Sequence, residues 1–238
     1  MKRAICITCS EGYFYFLTAL LKSIVKNSDY RDDIVIFSDH FETSGTGYYE
    51  TTLRDIYKNI KFHHVNEELY IKNGKCRRTF WALEVFKMRE YDKVLYLGAD
   101  MLCMRNFNEI FDIPCKISMV REERRRDTLN SGAMLISKEL MTDDIYDKII
   151  STNYPDDLYP EITGTDQRLF YIFFKDIVTT HHHKYNVMVT DGNAQDYEQP
   201  DVVFLHYFLK PNSPDFKKRC GQKLLDLWYN TNNAEVAF

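Results

Sequence analysis

The sequence predicts an α/β fold, a mostly parallel central sheet with helices on its faces. Over residues 4–100, short apolar runs alternate with stretches whose apolar residues recur at helical spacing. That is the rhythm of strand, helix and strand in a parallel sheet. The runs stop at polar turn residues, which places hydrogen-bonding groups at strand ends. Hydrophobic residues make up 45% and charged residues 28% of the 238-residue chain, values of a globular protein long enough to bury a sizeable core.

Ala4 to Thr8 reads as a buried parallel strand, and Ser10-Glu11-Gly12 as the turn after it. Tyr13 to Lys26 carries Phe16, Leu17, Leu20, Leu21 and Ile24 on one helical stripe. Ile34 to Phe37 is a second strand, ended by Ser38 and Asp39; Leu53 to Tyr57 suggests a short helix and Ile60 to Val65 a third strand. Thr79 to Arg89 reads as the next helix and Lys93 to Leu97 as the fourth strand, followed at once by Gly98-Ala99-Asp100. Open α/β sheets bind ligands at the carboxyl ends of their strands, so Asp100 stands where a binding carboxylate is expected. Beyond it, Ile117–Val120, Ala133–Ile136 and Val202–Leu205 read as strands. Asp143–Ile150, Gln167–Phe174 and a tail over Asp215–Trp228 read as helices. With no repeat, low-complexity segment or Gly/Ser-rich linker, the simplest organisation is one domain over residues 1–238.

Charge and cysteine usage narrow the partners. A net charge of −4 argues against a nucleic-acid binder, and the basic run from Arg121 to Arg126 is interrupted by Glu122 and Glu123. The six cysteines do not form two Cys-x-x-Cys pairs, so a structural zinc site is not expected. Most lie in or beside apolar runs, which fits a reducing compartment. The N-terminal apolar run is too short for a secretory leader and no stretch has the length of a membrane span. The expected location is therefore cytoplasmic, a bacterial or viral-host cytosol included. His181-His182-His183 tempts a metal reading, but neighbours on a strand point to opposite faces and do not readily share one ion.

The chemistry centres on the run Tyr91-Asp-Lys-Val-Leu-Tyr-Leu-Gly-Ala-Asp100-Met-Leu. A strand ending in a carboxylate can hold a divalent cation, and the cation can neutralise a departing diphosphate. The run resembles the acidic motif of glycosyltransferase family 8, usually Tyr-x-Lys-x-Leu-Tyr-Leu-Asp-x-Asp. Further resemblances follow in the family's order. They are Thr8 to Tyr13 (opening strand and turn), Leu129 to Met134 (its Asn-Ser/Ala-Gly segment), Gly164 to Gln167 (its Asp-Gln motif), and Val202 to His206 with Lys210-Pro211 (its terminal His…Lys-Pro motif). Together they span positions 4 to 211.

This resemblance implies a GT-A fold, Rossmann-like, with residues 1–100 as the nucleotide-binding half and 101–238 as the sugar- and acceptor-binding half. It implies transfer of a sugar from a UDP-sugar to a hydroxyl of a glycan or protein-linked sugar, with retention of configuration. Asp100 and His206 would ligate Mn²⁺ or Mg²⁺, bound together with the nucleotide. Tyr13 would lie on the base, and Thr8, Arg78 (or its neighbour Arg77) and Ala99 would line the donor site; Asp39 joins them by its position at the end of the second strand. Lys210 would meet the diphosphate, and Asn130, Asp166 and Gln167 would face the transferred sugar or the acceptor.

Three departures from the family pattern matter, one being that the Lys often carried in the helix before the acidic motif has no obvious equivalent here. Gly98 stands in place of the first Asp, and the spacing from His206 to Lys210 is shorter than usual with the family's Gly missing. With fewer protein ligands, the metal should depend more on the nucleotide's phosphates. The residues also allow plainer roles. Thr165 or Asp166 can cap the helix that follows, Asn130-Ser131-Gly132 can be a turn into a strand, and His206 can be a core histidine. A catalytically weakened binding module and a sugar-phosphate nucleotidylyltransferase are the competing functions. The latter lacks support, because no Gly-rich basic loop follows the first strand.

Overall fold

The computed structural model describes residues 1–39, 47–72, 75–121, 129–152, 165–190, 192–208 and 214–234. The first half follows the expected alternation. β1 (Arg3–Thr8) leads through a 3-10 turn into α1 (Phe14–Asn27), then β2 (Asp33–Ser38), α2 (Tyr48–Ile56) and β3 (Ile60–His64). A small hairpin, β4 (Ile71–Lys72) and β5 (Lys75–Cys76), precedes the 3-10 helix Arg78–Lys87 and β6 (Lys93–Gly98). The stretch expected as an ordinary helix near 79–89 is therefore a tighter one. Its residues from Phe80 to Phe86 are all buried, so it has no solvent face of the kind that defines an amphipathic α-helix.

After β6 come β7 (Met101–Cys103), β8 (Ile117–Arg121), β9 (Leu129–Ser137), α3 (Asp143–Ser151), α4 (Thr165–Phe174) and β10 (Val178–His181). The chain continues through β11 (Val187–Met188) and β12 (Phe204–His206) to α5 (Pro214–Cys220) and α6 (Gln222–Asn233). The single tail helix expected from the sequence is divided at Gly221. Its φ of +84° lies where helices cannot continue and where glycine is at least cost.

The main sheet has the order β10-β8-β9-β6-β1-β2-β3. β3, β2, β1 and β6 run parallel. β9 is antiparallel to both β6 and β8, while β10 is parallel to β8. The sheet is thus mostly parallel, with β9 inserted in the opposite sense. Both faces are covered, as the near-continuous apolar strands require. Along β1, Ile5 and Ile7 join a core with residues of α1, α2 and α6, while Ala4 and Cys6 join one with the 3-10 helix, α3 and α4. A second sheet has the order β11-β12-β7, its strand β7 following β6 directly in the chain. Among the described residues no helix is long and apolar enough to cross a membrane.

Candidate active site

The chain order reverses at β1: β2 lies on one side and β6 on the other, with Thr8 opposite Gly98 at the two carboxyl ends. This is the switch point at which open α/β sheets leave a crevice. A cavity of about 570 Å³ opens there, lined by Thr8, Tyr13, Arg77, Arg78, Trp81, Tyr96, Gly98 to Asp100, Ser131, Gly132, Asp166 and His206, among others. That volume falls within the roughly 300–1,000 Å³ of small-molecule sites.

The small sheet brings the two expected metal ligands together. β12 pairs antiparallel with β7, setting His206 opposite Met101, and Tyr207 donates its backbone N–H to the Asp100 carbonyl at 2.6 Å. His206 Nε2 then lies 3.3 Å from Asp100 Oδ1. β7 links residues that are distant in sequence, and it was not among the expected strands: three apolar residues give no periodicity to read.

Gly98 has a local reason. A Cβ at this position would sit 2.9 Å from Asp100 Oδ1 and 3.9 Å from His206 Nε2. The Asp100 carboxylate fills the room in front of the strand end. Among the described residues no group of three or more His, Cys, Asp or Glu side chains could hold a metal. The two convergent donors therefore suit a cation that completes its shell from a bound ligand, and they do not suit a closed site made by protein alone.

Asp166, in the first turn of α4, accepts a hydrogen bond from Ser131 Oγ at 2.5 Å. Loss of water pushes its carboxyl above the usual range, against the opposing pull of the Ser131 hydroxyl and the N–H groups of Asp166 and Gln167. Asp166 thus serves the helix start and the cavity wall at once. Tyr13 is 38% exposed and packs against Phe16 with ring centres 5.3 Å apart. Partial burial, then the nearby Asp100 charge, push its phenol up. Thr8 Oγ1 and Tyr96 OH share a hydrogen bond of 2.7 Å beneath the cavity. Arg78 lines it while pairing with Glu67 at 3.2 Å, and Asp39 lies 3.9 Å behind the guanidinium.

Other expected residues lie elsewhere. Asn130 is not in the cavity lining. Its side chain is 4% exposed, and its Oδ1 accepts from the Gly132 N–H at 2.8 Å and from Asn186 Nδ2 at 2.7 Å. Gln167 and Asp39 are also outside the lining. Lys210 and Gly164 lie outside the described residues. His181 is buried with Nδ1 on Ser118 Oγ at 2.9 Å, and His182 Nδ1 accepts from the Lys184 N–H at 3.0 Å. Among the cavity residues that the sequence reading gave no role are Trp81, Tyr96 and Ser131, the last two quoted within motifs. Trp81 falls in a run where every residue is apolar or aromatic except Glu84, so pattern alone marks it as core.

A parallel sheet with a carboxylate at its switch point and an inserted antiparallel strand defines a GT-A fold. Solved structures agree. The galactosyltransferase LgtC, determined with donor and acceptor sugar analogues, matches with a TM-score of 0.74 at 19% identity, over 99% of this chain and 97% of that one. The glycosyltransferase GlyE of Streptococcus pneumoniae matches with a TM-score of 0.74 at 18% identity, over 98% of this chain and 62% of its own. Mouse xyloside xylosyltransferase 1 matches with a TM-score of 0.61 at 13% identity, over 87% of this chain and 97% of that one. No curated protein sequence matches the chain. The profile described as glycosyl transferase family 8 matches residues 4–212. The chain belongs to that family and is a glycosyltransferase.

Proposed function

We propose that the enzyme transfers a sugar from a UDP-sugar to an acceptor hydroxyl with retention of configuration, assisted by a divalent cation. The observation that carries this reading is the approach of Asp100 and His206 to 3.3 Å, inside a cavity that also holds Tyr13, Ser131 and Asp166. Tyr13 lies where a base can rest, between the carboxyl end of β1 and the start of α1. Residues 1–100 then hold the nucleotide and residues 101–238 the sugar and acceptor. The acceptor class implied by the family is a glycan or protein-linked sugar.

Asp100 and His206 would hold the cation, and a carboxylate with a neutral imidazole suits Mn²⁺ or Mg²⁺, Mn²⁺ especially. When bound, the cation neutralises charge that grows on the departing diphosphate. Arg77 and Arg78 add positive charge to the cavity wall, and Lys210 would meet the diphosphate as the family resemblance implies. Asp166, held by Ser131, would orient a sugar hydroxyl. Among the described residues that line the cavity, no side chain stands out as a covalent nucleophile. A front-face substitution, with the leaving phosphate taking the acceptor's proton, accounts for retention without one.

Incubating the protein with a panel of nucleotide sugars and Mn²⁺ tests the reading. Slow release of UDP and free sugar from a UDP-sugar is the expected result. Binding without release would instead favour a catalytically weakened module. Pyrophosphate exchange with a nucleoside triphosphate would favour a nucleotidylyltransferase.

A further inference from the structure

The orientation of His206 is traceable, bond by bond, to the backbone. The Gly132 N–H can only donate, and it reaches one end of the Asn130 amide at 2.8 Å. That end must be the carbonyl oxygen. The same oxygen lies 2.7 Å from one end of the Asn186 amide, which must then be the NH₂. The other end of Asn186 is therefore its carbonyl oxygen, 2.9 Å from His206 Nδ1. A carbonyl only accepts, so Nδ1 carries the hydrogen. Amide and imidazole orientations are ordinarily a matter of assignment. Here a backbone group at the start of the chain of bonds fixes all of them.

We infer that Asn186 is a positioning residue that holds His206 as the Nδ1–H tautomer, with the Nε2 lone pair turned toward Asp100. The relay is inside the protein, where an unmatched partner is costly: Asn130, Asn186 and His206 are 4%, 2% and 9% exposed. A second observation supports it. A Cβ at Gly132 would stand 2.6 Å from His206 Cε1, 2.7 Å from Nδ1 and 2.9 Å from Asn130 Oδ1. Only glycine lets the backbone N–H come close enough to start the relay with the imidazole packed over it. The outcome is a lone pair and a carboxylate oxygen facing each other at 3.3 Å, an acceptor pair that suits a cation. Asn130 thus acts behind the site, and the family's Asn-Ser-Gly segment gains a reason in this chain.

The importance of that tautomer rests on the proposed metal and donor site, but the tautomer itself can be read without either. Two-bond ¹H–¹⁵N correlation on ¹⁵N-histidine protein at about pH 8, where histidine is neutral, reports which nitrogen is protonated. His206→Gln identifies the signal among the seven histidines. The wild type should show Nδ1–H. Asn186→Leu should mix the tautomers and weaken Mn²⁺ uptake in the presence of UDP roughly 10–100-fold, the usual effect of losing a partner behind a metal ligand. Asn186→Asp keeps an oxygen toward Nδ1 and should retain the tautomer at lower stability. Nε2–H in the wild type, or an unchanged pattern in Asn186→Leu, would overturn the inference. So would undiminished Mn²⁺ uptake in a variant that has lost the tautomer. If Asn186→Leu does not fold, the wild-type and Asn186→Asp spectra decide. A wild type with Nδ1–H and no Mn²⁺ uptake would defeat the metal reading and leave the positioning role standing.

Discussion

Two clusters of this protein use the same side-chain types to opposite ends. Under the 3-10 helix, the buried Glu84 carboxylate meets His63 Nε2 at 2.7 Å, Lys87 Nζ at 3.0 Å, Tyr146 OH at 3.2 Å and the Tyr70 hydroxyl. It is 1% exposed and surrounded by donors. At the switch point, Asp100 is 21% exposed into a cavity and has an imidazole nitrogen at 3.3 Å. Burial alone would push the Glu84 carboxyl up, but the hydrogen bonds from His63, Tyr70 and Lys87 outweigh it and hold it at about 2. A saturated carboxylate is committed to the fold. One left facing open space beside a second donor is available to a ligand.

The contrast is easiest to break with substitutions at the two carboxylates. Glu84→Ala should cost about 3–5 kcal/mol of unfolding free energy, because it strands several buried donors and a charge. Denaturant titration measures the loss, and the folded fraction should keep its specific activity. Acid should reveal the same residue. Glu84 has a folded value of about 2 against an ordinary 4.5. Its contribution is therefore complete above about pH 4.5 and lost as pH falls toward 2, on the order of 3 kcal/mol in all. Stability curves for wild type and Glu84→Gln should converge over that window; a constant separation would mean the carboxylate's charge has no part in it.

Asp100→Asn should behave oppositely. We expect kcat/KM for donor hydrolysis to fall by roughly 100-fold, the scale of losing one group that stabilises developing charge. Its stability should stay within about 0.5 kcal/mol of wild type. A stability loss as large as that of Glu84→Ala would erase the distinction between the clusters. The smallest effect sharpens the cavity's other end. Tyr13→Ala should weaken UDP binding by roughly 1–3 kcal/mol if the ring rests on the base, as calorimetry can measure, and unchanged affinity would remove that role.

The half of the molecule built by local signals was legible in the sequence. Strands β1, β2 and β6 have continuous apolar interiors, and the turns after them place Thr8, Asp39 and Asp100 at carboxyl ends without knowledge of the partners. What stayed hidden depends on pairing between distant residues. The opposite sense of β9 cannot be read from its composition, since a buried strand looks alike in either direction. The family resemblance paired His206 with Asp100, but the means of their meeting stayed hidden, because it needs β7 and β12, each three residues long. Asn186 gave no signal at all, because its role is set by contacts to Asn130 and His206 across separate strands. Gly98 was legible as a departure, yet its consequence, a carboxylate folded over the strand end, required the coordinates.

In the proposed function, Asp100 and His206 form an incomplete cation site that a nucleoside diphosphate finishes. Titrating Mn²⁺ calorimetrically into the protein, with and without UDP, tests it most directly. Little Mn²⁺ should bind alone, binding should become measurable with UDP present, and Asp100→Asn should lose it. Tight Mn²⁺ binding to the free protein, or equal binding to Asp100→Asn with UDP, would contradict the account.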